Sequence, residues 1–208
     1  MCGRYAVKKS TLLVANNLVK KNINVDLDQD NFNCSPGGKY PVIKSATNGK
    51  YLEMTTWGLK FSWAKEDFRP LHNARLEGID TKVSFKKLII NSRAIVPCSG
   101  YYEWKKTDNK KIPYYFTKVD DQDIFLAGIH DNGQFCVITR NAEPNNSEIH
   151  HRQPVIVPKS QINNYFNLNN NAVEFLNNTI PPKLKFFEIS TDVNNPAKND
   201  PSIINPVK

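Results

Sequence analysis

RAIVPCSGYYEWKKTDNKKIPYYFTKVDDQDIFLAGIHDNGQFCVITR, residues 93–140, carries the strongest structural signal in this chain. It divides into short runs of aromatic and β-branched residues, which favour β-strands. Turn-forming residues separate the runs, and Thr-Asp-Asn at 107–109 and Asp-Asn-Gly at 131–133 are typical of hairpins. The pattern predicts five consecutive strands, at residues 93–97, 100–105, 112–118, 124–130 and 134–140.

Strands and short helices are predicted on both sides of this region. The further strands are at residues 51–57, 155–157 and 186–189, and the helices at 80–90, 160–166 and 172–177. The first of these helices is expected to turn Val83, Leu88 and Ile89 inward. Ser10 is expected to cap a short helix near the start of the chain. We therefore expect one β-rich α+β domain over residues 1–208, with a polar tail from about residue 196 lying over the surface.

The composition indicates the type of partner and the cellular compartment. The 28 Lys and Arg residues exceed the 20 Asp and Glu residues, which gives a formal charge of +8 and favours a polyanionic partner without requiring one. The four cysteines are widely spaced, with no CxxC pair and no Cys/His cluster, so we expect reduced thiols and no zinc site. No apolar stretch reaches the length of a membrane span, and the start of the chain lacks a signal-peptide core. These features predict a cytoplasmic protein with no metal, cofactor or membrane partner.

Cys2 has the most distinctive chemistry in the chain. The sequence opens Met1-Cys2-Gly3-Arg4-Tyr5, so loss of Met1 would leave a cysteine with an α-amino group and a thiol on adjacent carbons. Their ordinary pKa values, about 7.7–8.0 and about 8.5, leave both groups partly reactive near neutral pH. The amine condenses with an aldehyde to an imine, and the tethered thiol closes a thiazolidine ring on the same carbon. The structural alternative is that Cys2 is a buried apolar residue behind a routinely removed methionine.

Three other segments place polar residues in an apolar context. They are His-Asn-Ala-Arg-Leu-Glu at 72–77, Cys-Ser-Gly-Tyr-Tyr-Glu-Trp at 98–104 and His-His-Arg-Gln-Pro-Val-Ile at 150–156. Each alone has a common structural explanation. A strand glutamate between aromatic residues, such as Glu103, usually points to solvent. A His-His-Arg run in a loop is usually a solvated surface, and an asparagine before Ala-Arg is usually a turn or a helix cap.

Taken in order, these segments resemble the SOS-response-associated peptidase (SRAP) family, whose members begin Met-Cys-Gly-Arg-Tyr/Phe. The other matching motifs are Asn-Cys-Ser-Pro-Gly at 33–37, Trp-Gly-Leu at 57–59, Asn-Ala-Arg-Leu-Glu at 73–77, Gly-Tyr-Tyr-Glu-Trp at 100–104 and His-His-Arg-Gln-Pro at 150–154. The resemblance covers essentially the whole chain. It departs from the usual family pattern at Cys34, Gly78, Gln153 and residues 129–130. The family fold implied is a barrel-like antiparallel or mixed sheet with a few short peripheral helices.

The resemblance implies a protein that senses abasic sites in single-stranded DNA. Met1 would be removed in a self-processing peptidase step. Cys2 would then form a covalent thiazolidine with the ring-opened sugar of the lesion, with reversible, lyase-type Schiff-base chemistry on the way. Such a protein would shield the lesion, act as a monomer without a cofactor, and associate with the nucleoid in a bacterial cell.

Catalytic roles are implied for Cys2, Asn73, Glu103 and His150. Asn73 would hold the Cys2 backbone or a sugar hydroxyl through its amide. Glu103, enclosed by aromatic residues, would have a raised pKa and would shuttle protons to the amine and the sugar. His150 would donate a proton to the sugar oxygen as the ring opens and take it back in the reverse reaction.

DNA contacts are expected from residues beside these positions. The candidates for binding the phosphates that flank the lesion are Arg4, Arg75 and Arg152. A structural salt bridge is the alternative for each of them, for instance between Arg75 and Glu77. Trp63 and Pro36 are candidates for stacking on the neighbouring bases or wedging between them. For the other two tryptophans we expect core packing.

Two further functions fit the same residues. One is an N-terminal-nucleophile hydrolase of a small amide or peptide substrate, in which the free amine serves as the base for the Cys2 thiol. The other is a non-catalytic single-strand binding module in which Cys2 is merely buried. The hydrolase would turn over, whereas crosslinking gives one product per protein. The binding module would form no covalent product that depends on an abasic site.

Overall fold

The structure is a computed structural model that describes residues 2–207. Within those residues the chain forms thirteen strands: β1 (Arg4–Val7), β2 (Lys21–Ile23), β3 (Asn31–Cys34), β4 (Lys39–Ala46), β5 (Gly49–Trp57), β6 (Asn73–Arg75), β7 (Arg93–Cys98), β8 (Gly100–Lys106), β9 (Lys111–Lys118), β10 (Ile124–Asp131), β11 (Gln134–Asn141), β12 (Arg152–Pro154) and β13 (Leu184–Glu188). The same residues form five α-helices: α1 (Lys9–Asn16), α2 (Val83–Asn91), α3 (Pro144–Ser147), α4 (Ile162–Phe166) and α5 (Ala172–Asn178). The chain is a strand-rich mixed domain with a few short helices, which confirms the predicted fold class.

The larger sheet closes on itself into a barrel. Its strands run in the order β12-β11-β10-β7-β4-β5-β2, and β6 lies beside β11. A short parallel pairing of β5 with β11 closes the ring and sets Trp57 opposite Phe135. Closure pairs β5 with β11, two strands that would each have an open edge here if the sheet were not closed.

A second sheet of five strands carries the start of the chain. Its order is β13-β9-β8-β1-β3, with antiparallel pairing throughout. The chain passes from the barrel into this sheet at Ser99, whose backbone N–H donates to the Ala6 carbonyl at 2.8 Å. Apolar side chains from both sheets meet in one core that includes Tyr5, Phe116 and Leu126. Strand β8 is therefore the central strand of a sheet that packs on the barrel.

The strands predicted between residues 93 and 140 are confirmed. Each of the five observed strands is longer than its predicted range by one residue. Both hairpin turns are also present. In the first, the Thr107 N–H donates to the Lys110 carbonyl at 2.9 Å. In the second, Asn132 and Gly133 have φ angles of 44° and 73°, the consecutive positive values that a tight I′ hairpin turn needs.

Two helix predictions are wrong in detail. Ser10 lies inside α1 rather than capping it, and the residue that precedes the helix, Lys8, makes no side-chain cap. Val83 is 88% exposed because α2 packs through Phe85 and Ile89, which lie one helical turn apart on the buried face. The strand predicted at 155–157 is also wrong: β12 ends at Pro154, and Ile156 forms only an isolated bridge with Leu126.

The segment after residue 196 is anchored to the domain. Ile203 is 1% exposed and packs in a cluster with Phe32. Asn33, buried on β3, donates from its amide to the carbonyl oxygens of Asn195 at 2.9 Å and Lys198 at 2.7 Å. These contacts hold the end of the chain against β3, next to the strand that follows Cys2.

Candidate active site

Cys2 lies fully buried immediately before β1. Its thiol donates to the Arg4 carbonyl at 3.9 Å. Burial, together with the negative charge of Glu103, raises the pKa of the Cys2 thiol far above its ordinary value. The thiol is therefore protonated at neutral pH, so its reaction as a nucleophile needs a group that accepts its proton.

Asn73 is brought to Cys2 by β6, a three-residue strand that runs parallel to β11. The Asn73 amide nitrogen donates to the Cys2 carbonyl at 2.9 Å. The amide oxygen of the same side chain is buried and accepts no hydrogen bond from the described residues. Asn73 thus fixes the backbone of Cys2 with one end of its amide and keeps an acceptor available at the other.

Glu103 occupies the middle of β8 and is 3% exposed. It follows Tyr102, which pairs with Arg4 in β1, so β8 brings its carboxyl close to the start of β1. Burial raises the pKa of Glu103 to about 7. Glu103 is therefore buried, unlike most glutamates in strands, which point to solvent. With this pKa, its carboxyl is able both to give and to take a proton near neutral pH.

His150 lies in the short loop between α3 and β12. His150 Nδ1 lies 3.0 Å from the Arg152 backbone nitrogen and 3.2 Å from the Arg152 carbonyl oxygen, so the Arg152 backbone orients the ring through Nδ1. Burial lowers the pKa of His150 to about 4, which keeps the ring neutral at neutral pH. The ring also stacks on that of His151, with 4.5 Å between the centroids.

Glu103 and His150 both line a cleft of about 570 Å³. Its lining residues are Glu103, Trp104, Lys106, Lys111, His150 and Asn194. Trp104 is half-buried rather than fully packed in the core, and its indole N–H donates to Asn194 Oδ1 at 2.8 Å. Trp57, by contrast, is fully buried, as expected.

Arg152 is a buried residue that forms an ion pair with Glu77 beside the site. Its guanidinium is 5% exposed and forms two bonds of 2.8 Å to the Glu77 carboxylate, with further bonds to Asn141 and Thr139. The alternative of a structural salt bridge thus holds for Arg152, and the Glu77 carboxylate expected to pair with Arg75 is taken by Arg152 instead. The ion pair joins the segment that follows Asn73 to the one that follows His150. Both terminal nitrogens of Arg152 are therefore bonded within the domain, at a buried position.

The other predicted DNA contacts differ in exposure. Arg4 is half-buried and donates from Nη1 to Asn33 Oδ1 at 2.7 Å and to the Val193 carbonyl at 2.5 Å. Arg75 is exposed and Pro36 is half-buried. Trp63 is 61% exposed, and its ring stacks on Phe61 at 5.0 Å between centroids. None of these four residues lines the cleft that holds Glu103 and His150.

Lys106 and Lys111 are cleft residues that the motif analysis misses. Pairing of β8 with β9 sets them directly opposite each other, on either side of the first hairpin turn. The turn is recognisable from the sequence, and counting outward from it places the two lysines opposite each other. Their position in the cleft with Glu103 depends on the fold and has no local signal.

The described part of the chain contains no cluster of three or more His, Cys, Asp or Glu side chains arranged to hold a metal ion. Across residues 2–207, no helix has the length and apolar character needed to cross a membrane.

Comparison with known proteins identifies the family of the chain. The family model for the SOS response associated peptidase (SRAP) matches residues 1–196. The abasic site processing protein YedK of Escherichia coli is 31% identical over 169 residues, which cover 76% of this chain and 75% of that protein. The abasic site processing protein YoqW of Bacillus subtilis is 27% identical over 227 residues, covering 98% and 99% of the two chains. A crystal structure of a Bacteroides thetaiotaomicron protein superposes over the full length of both chains with a TM-score of 0.83 at 24% identity. The chain therefore belongs to the SRAP family.

Proposed function

We propose that this chain senses abasic sites in single-stranded DNA and captures them covalently through Cys2. The observation that carries the proposal is the environment of Cys2. Asn73 donates a hydrogen bond to the Cys2 carbonyl, and the buried carboxyl of Glu103 lies close enough for its charge to raise the pKa of the Cys2 thiol. The names of the relatives, abasic site processing proteins, support the choice of substrate. We also propose that residues 1–208 act as one domain and as a monomer.

The first proposed step frees the Cys2 amine. The Cys2 sulfur attacks the Met1 carbonyl carbon while its proton passes to Glu103. The carbon–nitrogen bond then breaks as the amine takes that proton, and water hydrolyses the resulting thioester, which releases methionine and restores the thiol. This step is a cysteine-type self-processing peptidase reaction.

The second proposed step captures the lesion. The free amine attacks the aldehyde of the ring-opened abasic sugar, and loss of water gives an imine. The Cys2 sulfur then bonds to the imine carbon, the thiol proton moves to the nitrogen, and a thiazolidine results. Glu103 suits these transfers because a pKa near 7 leaves both its forms populated at neutral pH. The Nε2–H of His150 would donate to the sugar oxygen, and reversal through the imine accounts for lyase-type chemistry.

Single-stranded DNA is the proposed form of the substrate. The aldehyde must reach a residue with no exposed surface, which a sugar constrained inside a base-paired helix cannot do. Arg75 and Trp63, both exposed, remain candidates for phosphate and base contacts. Sequence preference should be slight, because the target has no base.

The test is incubation with single-stranded oligonucleotides that carry or lack one abasic site, followed by denaturing electrophoresis. The proposal predicts a shifted band that requires both the abasic site and Cys2. Cys2→Ala should abolish the band. Cys136→Ala is the matched control, because Cys136 is equally buried but packs in the core of the barrel away from Cys2.

Other outcomes identify the alternative functions. Salt-sensitive binding of both oligonucleotides with no covalent band would contradict capture and indicate a binding module. Repeated turnover of an amide substrate would indicate the hydrolase. An intact mass that retains Met1 in the crosslink-competent protein would contradict the self-processing step.

A further inference from the structure

We propose that Lys106 and Lys111 bind a backbone phosphate of the DNA strand beside the lesion. The inference rests on the proposed function, since it assigns one flank of the strand to the β8–β9 hairpin. The two lysines lie on opposite strands of that hairpin and line the same cleft as Glu103 and His150.

The placement of the lysines is unfavourable without an anion. Like charges directly opposite each other in an antiparallel pair destabilise the sheet. Both side chains are exposed, and among the described residues neither ammonium group forms an ion pair. A phosphate between the two groups would convert their repulsion into two favourable contacts.

The charge of the cleft favours the same ligand. Glu103, with a pKa of about 7, is only partly ionised at neutral pH, and His150, with a pKa of about 4, is neutral. Lys106 and Lys111 therefore give the cleft a positive charge. An anionic strand would be drawn toward the two groups that handle protons in the proposed reaction.

Two of the arginines adjacent to the catalytic positions are bonded within the domain. The Arg152 guanidinium forms an ion pair with the Glu77 carboxylate, and the Arg4 guanidinium donates to Asn33 and to the Val193 carbonyl. Lysine is a compact charge on a flexible stem, so it tolerates the variable geometry of a single-strand backbone and reads no base.

The experiment compares two double variants of the same hairpin. K106Q/K111Q removes the pair that lines the cleft. K105Q/K110Q is the matched control, because it removes the same charge from the same hairpin, but Lys105 and Lys110 do not line the cleft. The probe is a single-stranded oligonucleotide with a tetrahydrofuran abasic analogue, which has no aldehyde and so reports binding without capture.

The measured quantity is the slope of log affinity against log salt concentration. Loss of the one proposed phosphate contact should reduce the slope by about 0.7 in K106Q/K111Q, because each neutralised phosphate of a single strand contributes about 0.7. The control should keep the wild-type slope. Equal reductions in both variants, or none in either, would overturn the inference. The thermal midpoint of K106Q/K111Q should equal or exceed that of the wild type, since the substitution removes a repulsion.

Covalent capture of a natural abasic site is scored separately. Wild-type crosslinking with an unchanged salt slope in K106Q/K111Q would refute the lysine site alone. A reduced slope without wild-type crosslinking would support the lysine site while contradicting the proposed function.

Discussion

Glu103 and His150 differ in the proton chemistry available to them at neutral pH. Burial raises the pKa of Glu103 to about 7 and lowers that of His150 to about 4. Glu103 is thus able to exchange protons near neutral pH, whereas the His150 ring stays neutral. The motifs identify both residues but not this difference, because it depends on burial.

The pH dependence of capture should identify Glu103 as the acid–base group. Steps that need its carboxylate should accelerate as the pH rises through about 7. Glu103→Gln should lower the crosslinking rate roughly 100-fold and remove this inflection, leaving that of the Cys2 amine near 8. Single-turnover rates from pH 5.5 to 9 provide the measurement. His150→Gln is the comparison, and loss of the inflection near 7 in that variant would reverse the assignment.

Glu103 should also make the fold less stable at high pH. Its folded pKa, about 7, lies above its ordinary value of 4.5, so the folded state holds the proton more tightly. Stability should therefore fall as the pH rises from 4.5 to about 7, by up to about 3 kcal/mol. Urea unfolding should show Glu103→Gln more stable than the wild type at pH 8 and similar to it at pH 4.5. Equal stabilities at pH 8 would show that the carboxyl is not strained.

The Glu77–Arg152 ion pair connects two elements, the turn after β6 and strand β12. The Arg152 bonds hold the pKa of Glu77 at about 2, below its ordinary 4.5. This stabilisation is present above pH 4.5 and is lost as the pH falls toward 2. The Glu77 side chain is 50% exposed, so screening reduces the effect to roughly 1–2 kcal/mol. Glu77→Gln should lose this amount in urea unfolding at pH 7 and much less at pH 3.

The same substitution should slow crosslinking, because it releases the segments that carry Asn73 and His150. Glu143→Gln is the matched control. Glu143 pairs with Arg140 at 3.4 Å and is 47% exposed, so its loss should cost less than about 0.5 kcal/mol. Equal losses of unfolding free energy in Glu77→Gln and Glu143→Gln would contradict a special role for the Glu77–Arg152 ion pair.

The strands differ in how far the sequence predicts them. β7 to β11 combine aromatic and β-branched residues with clear turns, so their limits are predictable to within a residue. β1, β3 and β6 have three or four residues each, and asparagines interrupt the apolar pattern of β3, at Asn31 and Asn33, and of β6, at Asn73. Partners distant in the chain hold these short strands in place: β1 lies between β3 and β8, and β6 lies beside β11. Local propensity does not encode such pairings.

At the scale of the molecule, the end of the chain should contribute to stability. Ile203 is almost fully buried against β3, so Ile203→Ala should cost about 2–4 kcal/mol in urea unfolding. Val207, which is 47% exposed, is the control, and Val207→Ala should change stability by less than about 0.5 kcal/mol. Similar small losses in both variants would show that the tail is only loosely attached.

The assembly of the site is the part that the sequence predicts least. The motifs name Cys2, Asn73, Glu103 and His150, and the structure brings Asn73 and Glu103 to Cys2. The cleft position of the β8–β9 lysines depends on how the two sheets meet, and the Arg152–Glu77 ion pair depends on the placement of β6 and β12 beside β11. Proximity between residues as far apart as 2 and 103 arises from the pairing of β1 with β8, which a reading of local patterns does not reveal.

The burial of Cys2 also bears on how long the protein stays usable. Oxidation by peroxide proceeds through an exposed thiolate, and the Cys2 thiol is both enclosed and held in its protonated form. In the proposed reaction one lesion consumes the nucleophile, so each molecule lost to sulfenic acid would be one fewer available. Enclosure would then keep copies made before damage chemically intact for the proposed capture of an abasic sugar.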